Sequence, residues 1–559
     1  MTAPTDDHAT TTGGPSPLPA ASGTAIPERR SFRIKNRLLG NPLHTDQLEH
    51  ERLNNTTALA VFSSDALSST AYASEEILRT LLGIGAVGGI GLLAYKYVMP
   101  ITIAMVLVLI ILVFSYRQTI KAYPSAGGAY IVTKDNLGLL PAQVAGVALL
   151  TDYILTVSVS VSAGVAALYS VFHGVYPYRV PIALVFIAII AWGNLRGVKE
   201  SGKLFAIPTY AFLVSMFLMI IVGIVKATVG GGLHDIVLDE SQYHALEITG
   251  TASVFLILHA FASGGAAMTG VEAISNGVPA FKAPEWKNAR KTLMVMGVCL
   301  GFMFLGISWL ATSMHAVPTE EKTVIAQVAD AIYGSGAIGR VLFIFTQAAT
   351  MFILVLAANT SFADFPRLAS FHADDAFMPK QLTKRGHRLV FSNGIVALAI
   401  VSAVLVVLLG ADVSKLIPLY AIGVFTSFTL SQAGMARRHI RLKEKGWRSG
   451  LFINGLGAVA TGVVTIVIGY TKFLHGAWVI VVLVPILVWL LVRLNHQYES
   501  EKAELGEDAE RAATEPVLKN HAVIVLIDKI DRTSARAIQY ARTLHPDKLE
   551  ACLLYTSPS

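Results

Sequence analysis

The sequence predicts an all-α integral membrane protein of about twelve transmembrane helices, followed by a small α/β segment. Three observations predict it. Of 559 residues, 53% are hydrophobic and only 14% charged, whereas charged residues make up about a quarter of an ordinary soluble domain. Apolar runs of roughly 18 to 25 residues, enough to cross about 30 Å of hydrocarbon, recur from the region of Leu59 to the region of Leu494. Basic residues collect in alternate loops between those runs. A large soluble bundle would need a polar face on most helices, and runs such as Ile101 to Phe114 or Trp478 to Val492 lack one.

In chain order, residues 1–35 read as a disordered cytoplasmic tail, rich in Thr, Pro, Ala and Gly and without the apolar core of a signal peptide. The membrane domain is expected over 36–495. Its spans lie near 54–84, 92–115, 139–172, 178–196, 205–228, 249–276, 291–315, 338–364, 390–410, 413–435, 450–471 and 476–494. Residues 496–516 form a charged stretch suited to a solvated helix or linker. An α/β domain is expected over 517–559. His521 to Asp528 is a β-branched run that reads as a buried strand, Arg532 to Leu544 has helical spacing, and Leu549 to Leu554 reads as a second strand. One strand, one helix and one strand cannot bury a core, so this domain reads as truncated and Leu553 to Ser559 as foreign sequence.

Orientation follows from the loops. One set carries Arg117, Lys121 and Lys134; Arg196, Lys199 and Lys203; Lys282, Lys287, Arg290 and Lys291; Lys380, Lys384, Arg385 and Arg388; and the run from Arg437 to Arg448. The opposite set carries Asp235, Asp239, Glu240, Glu320 and Glu321. With Arg29, Arg30, Arg33, Lys35 and Arg37 ahead of the first span, the positive-inside rule puts both termini in the cytoplasm. The net charge of +7 then needs no nucleic acid to explain it. Cys299 and Cys552 are too few for a disulfide framework or a thiolate metal site, and no cofactor is expected.

Ionisable residues inside spans cost several kcal/mol, about 3 on insertion scales, so each one marks a candidate substrate or proton path. In the first span, Ser63-Ser64-Asp65-Ala66-Leu67-Ser68-Ser69-Thr70-Ala71-Tyr72 interrupts an apolar run with a carboxylate and a cluster of hydroxyls. In the sixth, Ala262-Ser263-Gly264-Gly265 leads to Thr269-Gly270-Val271-Glu272. Broken helices at matching positions, each with an acid, point to an inverted repeat whose unwound midpoints line a binding site. The repeats would cover about 54–228 and 249–435, with extra helices over 450–494. Ser and Gly that merely let helices pack closely would explain either stretch alone, but not the acid in each.

Other spans supply further oxygens. Tyr153, Thr156 and Ser160 share one helical face of the third span, while Asp152 suits either that site or a helix end at the membrane edge. Tyr420, near the start of the tenth, suits either the site or the headgroup layer. Asn359 and Thr360 lie in the eighth span, whose Asp364 and Arg367 are expected to pair at its cytoplasmic end. His259, close to the sixth-span break, reads as a packing residue or a titrating group.

At these residues the chain resembles the amino acid-polyamine-organocation superfamily, and within it the bacterial Kup and Kim group of proton-coupled potassium importers. The first-span and sixth-span motifs carry the resemblance, with Tyr123-Pro124-Ser125-Ala126-Gly127-Gly128-Ala129-Tyr130 and Ala358-Asn359-Thr360-Ser361-Phe362-Ala363-Asp364-Phe365-Pro366-Arg367. It implies a five-plus-five inverted-repeat fold, a homodimer, a bacterial inner-membrane location and a regulatory cytoplasmic domain. It also implies potassium ligands at Asp65, Tyr72, Tyr153, Thr156, Thr269, Glu272 and Tyr420. Glu272 is the expected proton carrier on physical grounds, because a carboxyl in a partly dehydrated pocket can load and release protons near neutral pH, with Asp65 as the other candidate. Ser68, Ser160, Asn359 and Thr360 are additional candidates.

Relatives in the same superfamily carry amino acids, and that reading stays open beside potassium. A zwitterion carrier holds a carboxylate on bare backbone N–H groups at a half-helix N-terminus, typically exposed by glycine. The first span offers Asp65 there instead. Two carboxylates at the breaks suit a cation wrapped in oxygens. A membrane sensor with an active soluble tail is a third reading, and the tail has no Gly-rich phosphate loop after its first strand.

Overall fold

The computed structural model describes residues 52–84, 89–124, 128–197, 202–229, 232–233, 235–236, 246, 251–386, 390–506, 521–527 and 530–553. The expected tail over 1–35 and membrane-domain start over 36–51 lie outside these residues. So do Ser125 to Gly127, Lys199, Asp239, Glu240, Arg388, the linker beyond Gly506 and residues 554–559.

The first apolar stretch is three short helices, α1 (Asn55–Phe62), α2 (Ser64–Ser68) and α3 (Thr70–Leu82). Asn54 starts it, its side chain accepting a hydrogen bond from Thr57 N at 2.8 Å. Next come α4 (Ala94–Ala122), α5 (Gly128–Leu137), α6 (Leu139–Tyr169), α7 (Arg179–Leu195) and α8 (Gly202–Thr228). The sixth apolar stretch divides into α9 (Val254–Gly264) and α10 (Ala273–Asn276). Then follow α11 (Glu285–Ser313), α12 (Val324–Tyr333), α13 (Ala337–Asp374), α14 (Ser392–Leu408), α15 (Val413–Leu442), α16 (Trp447–Thr471) and α17 (Ala477–Gly506).

Ten of the described stretches are long and apolar enough to cross a membrane. Of the twelve spans read from sequence, the two outside that ten are the segmented α1–α3 and the 17-residue α14. The short helices α5 and α12 are not among the elements read from sequence; both are ten-residue connections too short to cross hydrocarbon, and only α12 is amphipathic.

Burial divides the helices into centre and rim. α6 is buried along most of its length and packs against α13 and α15. α7 buries only Ala183, Ile187 and Ala191, spaced by four on one face, and turns Val185, Ile189 and Trp192 outward. Outward apolar faces of this extent are stable where hydrocarbon is the solvent. The start of the first stretch lies against the end of the sixth: Leu53 N donates to Ala280 O at 2.7 Å and Lys282 N to Leu53 O at 3.0 Å.

A second compact unit begins at Arg493. Within it β1 (Ala522–Ile527) and β2 (Lys548–Leu553) pair in parallel, Ala522 opposite Lys548 and Ile527 opposite Leu553, linked by α18 (Arg532–Thr543). Asp531 caps α18 by accepting from Ser534 N at 2.9 Å. The first strand is not buried on both faces as its composition predicts, because one strand and one helix cover too little of it. Ile524 and Leu526 are exposed.

Candidate cation site between the broken helices

The two interruptions differ in kind. In the first stretch Ser63 and Ser69 end successive helices yet keep right-handed helical backbone, φ −107°, ψ −4° and φ −61°, ψ −22°. Hydroxyls supply the disturbance: Ser68 Oγ and Ser69 Oγ both donate to Asp65 O, at 2.9 and 3.0 Å, and Thr70 Oγ1 donates to Leu67 O at 2.8 Å. Side-chain donors that compete for helix carbonyls bend a helix without unwinding it. In the sixth stretch the chain unwinds. A single 3-10 turn, Gly265–Met268, is followed by extended Thr269 (ψ 149°) and left-handed Gly270 (φ +78°), and α10 begins only after Glu272.

The interruptions meet at Gly270. A Cβ there would lie 2.6 Å from Asp65 Oδ2 and 2.9 Å from Ala66 N, so only glycine allows both the backbone angle and the approach.

Around this contact, hydroxyls from four stretches form a chain. Thr156 Oγ1 of α6 donates to Tyr420 Oη of α15 at 3.3 Å. Tyr420 adjoins Tyr72, whose Oη shares a hydrogen bond with Ser69 Oγ at 3.0 Å. Ser69 Oγ lies 3.2 Å from Thr269 Oγ1, which donates to Ala266 O at 2.9 Å. Every member is buried.

Carboxylates border the chain. Asp65, Asp152, Glu272 and Asp364 are 4%, 1%, 1% and 3% exposed. Asp65 and Glu272 are electrostatic neighbours of each other and of Asp364, and Asp152 of both Asp65 and Glu272. Asp65 Oδ1, Asp152 Oδ1, Glu272 Oε2 and Asp364 Oδ2 accept no hydrogen bond from any described residue. Four buried acids in mutual repulsion with idle oxygens are costly unless protons or a cation offset them.

The candidates distribute as follows. Asp65, Tyr72, Thr156, Thr269 and Tyr420 converge on the hydroxyl chain, with Glu272 two residues beyond Gly270. Tyr153 Oη accepts from Asn276 Nδ2 at 2.8 Å. Ser68 is engaged with Asp65 O, and Ser160 Oγ is buried without a partner among the described residues. Thr360 Oγ1 lies 3.4 Å from Ser64 Oγ, tying α13 to α2. Asn359 accepts from Asn194 Nδ2 at 2.6 Å, so its amide is engaged with α7.

Asp152 is in the middle of α6 among the acids and not at a helix end, and Tyr420 is fully buried and not an interfacial aromatic. Asp364 and Arg367 do pair, at 3.7 Å, but Asp364 also faces Asp65.

Sequence reasoning passed over two features. Asn276 is the polar residue closing α10, and its contacts depend on tertiary structure alone. Glu75, Glu76 and Arg79 carried a visible signal, three charges in the last turns of an apolar stretch. They line a cavity of about 140 Å³ that reaches from Tyr72 to Glu320 and Asp412. Arg79 pairs with Glu75 at 3.6 Å and Glu76 at 3.9 Å, while Glu76 Oε1 accepts from Ser414 Oγ at 2.8 Å.

Residues 53–493 match the family model described as "Amino acid permease". The chain is also 42% identical over 514 residues to "Potassium transporter KimA" of Bacillus subtilis (strain 168), an alignment covering 91% of this chain and 81% of that protein.

Proposed function

The chain belongs to the amino acid permease family, and from that premise we propose that it imports potassium by proton symport. One observation carries the reading: an acid with an idle oxygen, Asp65, at the meeting point of two helix interruptions, beside hydroxyls from four apolar stretches. A carboxylate and several neutral oxygens match a dehydrated monovalent cation. The similarity to a potassium transporter supports potassium in particular.

The architecture proposed is twelve spans, with α1–α3 as the first and α14 as the ninth, built as a five-plus-five inverted repeat over 54–228 and 249–435. Basic loops put both termini in the cytoplasm of a bacterial cell, with the protein in the inner membrane. The cavity bounded by Tyr72, Glu75, Glu76 and Arg79 is then the external approach. The small α/β unit is read as a cytoplasmic regulatory domain, and the assembly as a homodimer by family resemblance.

The ion binds between the interruptions, Glu272 takes a proton, and one bundle rocks to open the site inward. A membrane potential of 100 mV contributes about 2.3 kcal/mol per positive charge moved inward. A co-transported proton adds its own gradient.

Amino acid transport is the competing reading, named by the family description. The first interruption disfavours it. Leu67, Ser69 and Ala73 N–H groups donate to Ser63, Asp65 and Ser69 carbonyls, leaving few backbone donors for a substrate carboxylate. The test is complementation of a bacterial host lacking its own potassium importers, grown at low external potassium, with amino acid uptake as control. Rescue of growth supports the potassium reading; amino acid uptake without rescue overturns it.

A further inference from the structure

We propose that Asn276 is a positioning residue for the transported ion, holding Tyr153 as a ligand from the far end of the short helix that begins beside Glu272. This rests on the potassium reading above.

Asn276 closes α10, four residues after Glu272, and is 7% exposed. Its Nδ2 donates to Tyr153 Oη at 2.8 Å, across from α10 to α6. Asp364 faces the same amide. Its backbone carbonyl accepts from Arg367 on α13 at 3.2 Å. On the opposite side Gly128, at φ +44°, packs so tightly that a Cβ there would fall 1.9 Å from Asn276 Oδ1. The amide is thus bordered by α5, α6 and α13 at once, and the bond to Tyr153 sets its orientation, nitrogen toward the phenol and oxygen toward Gly128.

The chemistry follows from the phenol. A tyrosine oxygen ligates a cation through a lone pair, so its O–H must point away from the ion. A donor that occupies the other lone pair fixes that direction and keeps the ring from rotating out of the site. Asn276 supplies this donor.

A double-mutant cycle on the full-length transporter in proteoliposomes tests this, with initial rates of rubidium uptake giving apparent KM and maximal rate per reconstituted protein. Asn276→Leu removes the donor at similar volume and Tyr153→Phe removes the acceptor. Each is expected to raise apparent KM about tenfold with maximal rate changed far less, as fits loss of one oriented buried hydrogen bond. The double variant should be no worse than Tyr153→Phe alone. Factors that multiply, or a fall in maximal rate at unchanged KM, would overturn the assignment. Should Asn276→Leu fail to reconstitute, Gly128→Ala pushes on the same amide from behind. It must raise KM in the parent and leave it unchanged in the Tyr153→Phe background; an equal rise in both backgrounds counts against the proposal. Absence of rubidium uptake by the parent would instead sink the potassium reading, so the two failures are distinct.

Discussion

The first and sixth stretches carry similar sequence signals, polar residues and one acid within an apolar run, but fold differently. At Ser63 and Ser69 the backbone stays helical and hydroxyls take up carbonyls, so the first stretch presents side chains. At Thr269 and Gly270 the backbone turns from helix to extended to left-handed, so the sixth stretch presents main chain as well. An interrupted helix therefore has two physical forms. A kink spends hydroxyls on its own carbonyls and keeps the carboxylate free. A true break spends a glycine and frees peptide groups.

The largest expected effect lies on the kinked side. Asp65→Asn preserves shape and removes the charge from a buried site, and Coulomb attraction at close range is worth a few kcal/mol, about 4 at an effective dielectric of about 20. Uptake at low potassium should fall about a hundredfold or more. Unchanged uptake at equal membrane abundance would remove Asp65 from the site, and with it the claim that the kink works through its side chain.

On the broken side the strongest effect is expected at Glu272. Glu272→Gln mimics the protonated acid, so it should stop potassium-driven proton movement while some ion binding persists. Proteoliposome uptake with internal pH recorded separates the two. Acidification that continues in this variant would return the proton to Asp65 or to another group.

Gly270→Ala asks whether the break is needed in its present geometry. The added methyl meets Asp65 Oδ2 at 2.6 Å on backbone at φ +78°, a conformation that costs a non-glycine residue about 1 kcal/mol before any clash. A loss of about tenfold in uptake is expected, with a lower unfolding temperature in detergent. A variant as active and stable as the parent would mean that the two interruptions are farther apart in the working protein.

Much of this was legible in the sequence because membrane helices announce themselves through uninterrupted apolar runs. Asp65, Tyr72, Thr269 and Glu272 stood out because a polar group in such a run needs a reason. The form of each interruption was not legible: Ser-Ser and Gly-Gly both lower helix propensity, and only packing decides between kink and break. Asn276 was invisible for a related reason, since it follows the break and its partners Tyr153, Arg367 and Gly128 come from three other helices. Nor was it legible that Asn359 and its motif neighbour Thr360 take different partners, Asn194 and Ser64, one residue of helix rotation apart.

The smallest expected effect tests the kink itself. Ser63 ends α1 and its Oγ is buried with no partner among the described residues, so it contributes neither a capping bond nor a link to the hydroxyl chain. Removing a buried unsatisfied hydroxyl, which leaves the Cβ as a methyl group, removes a desolvation cost of about 1 kcal/mol or more and loses no hydrogen bond. Ser63→Ala should therefore leave the unfolding temperature equal or slightly higher. The kink should persist, since Ser68, Ser69 and Thr70 still hold the carbonyls of Asp65 and Leu67. Rubidium uptake should stay within about twofold of the parent. A tenfold rise in apparent KM at unchanged stability would show that the idle Ser63 hydroxyl is itself an ion ligand, placing an oxygen two residues before Asp65 and extending the site along the kinked helix rather than across to the broken one.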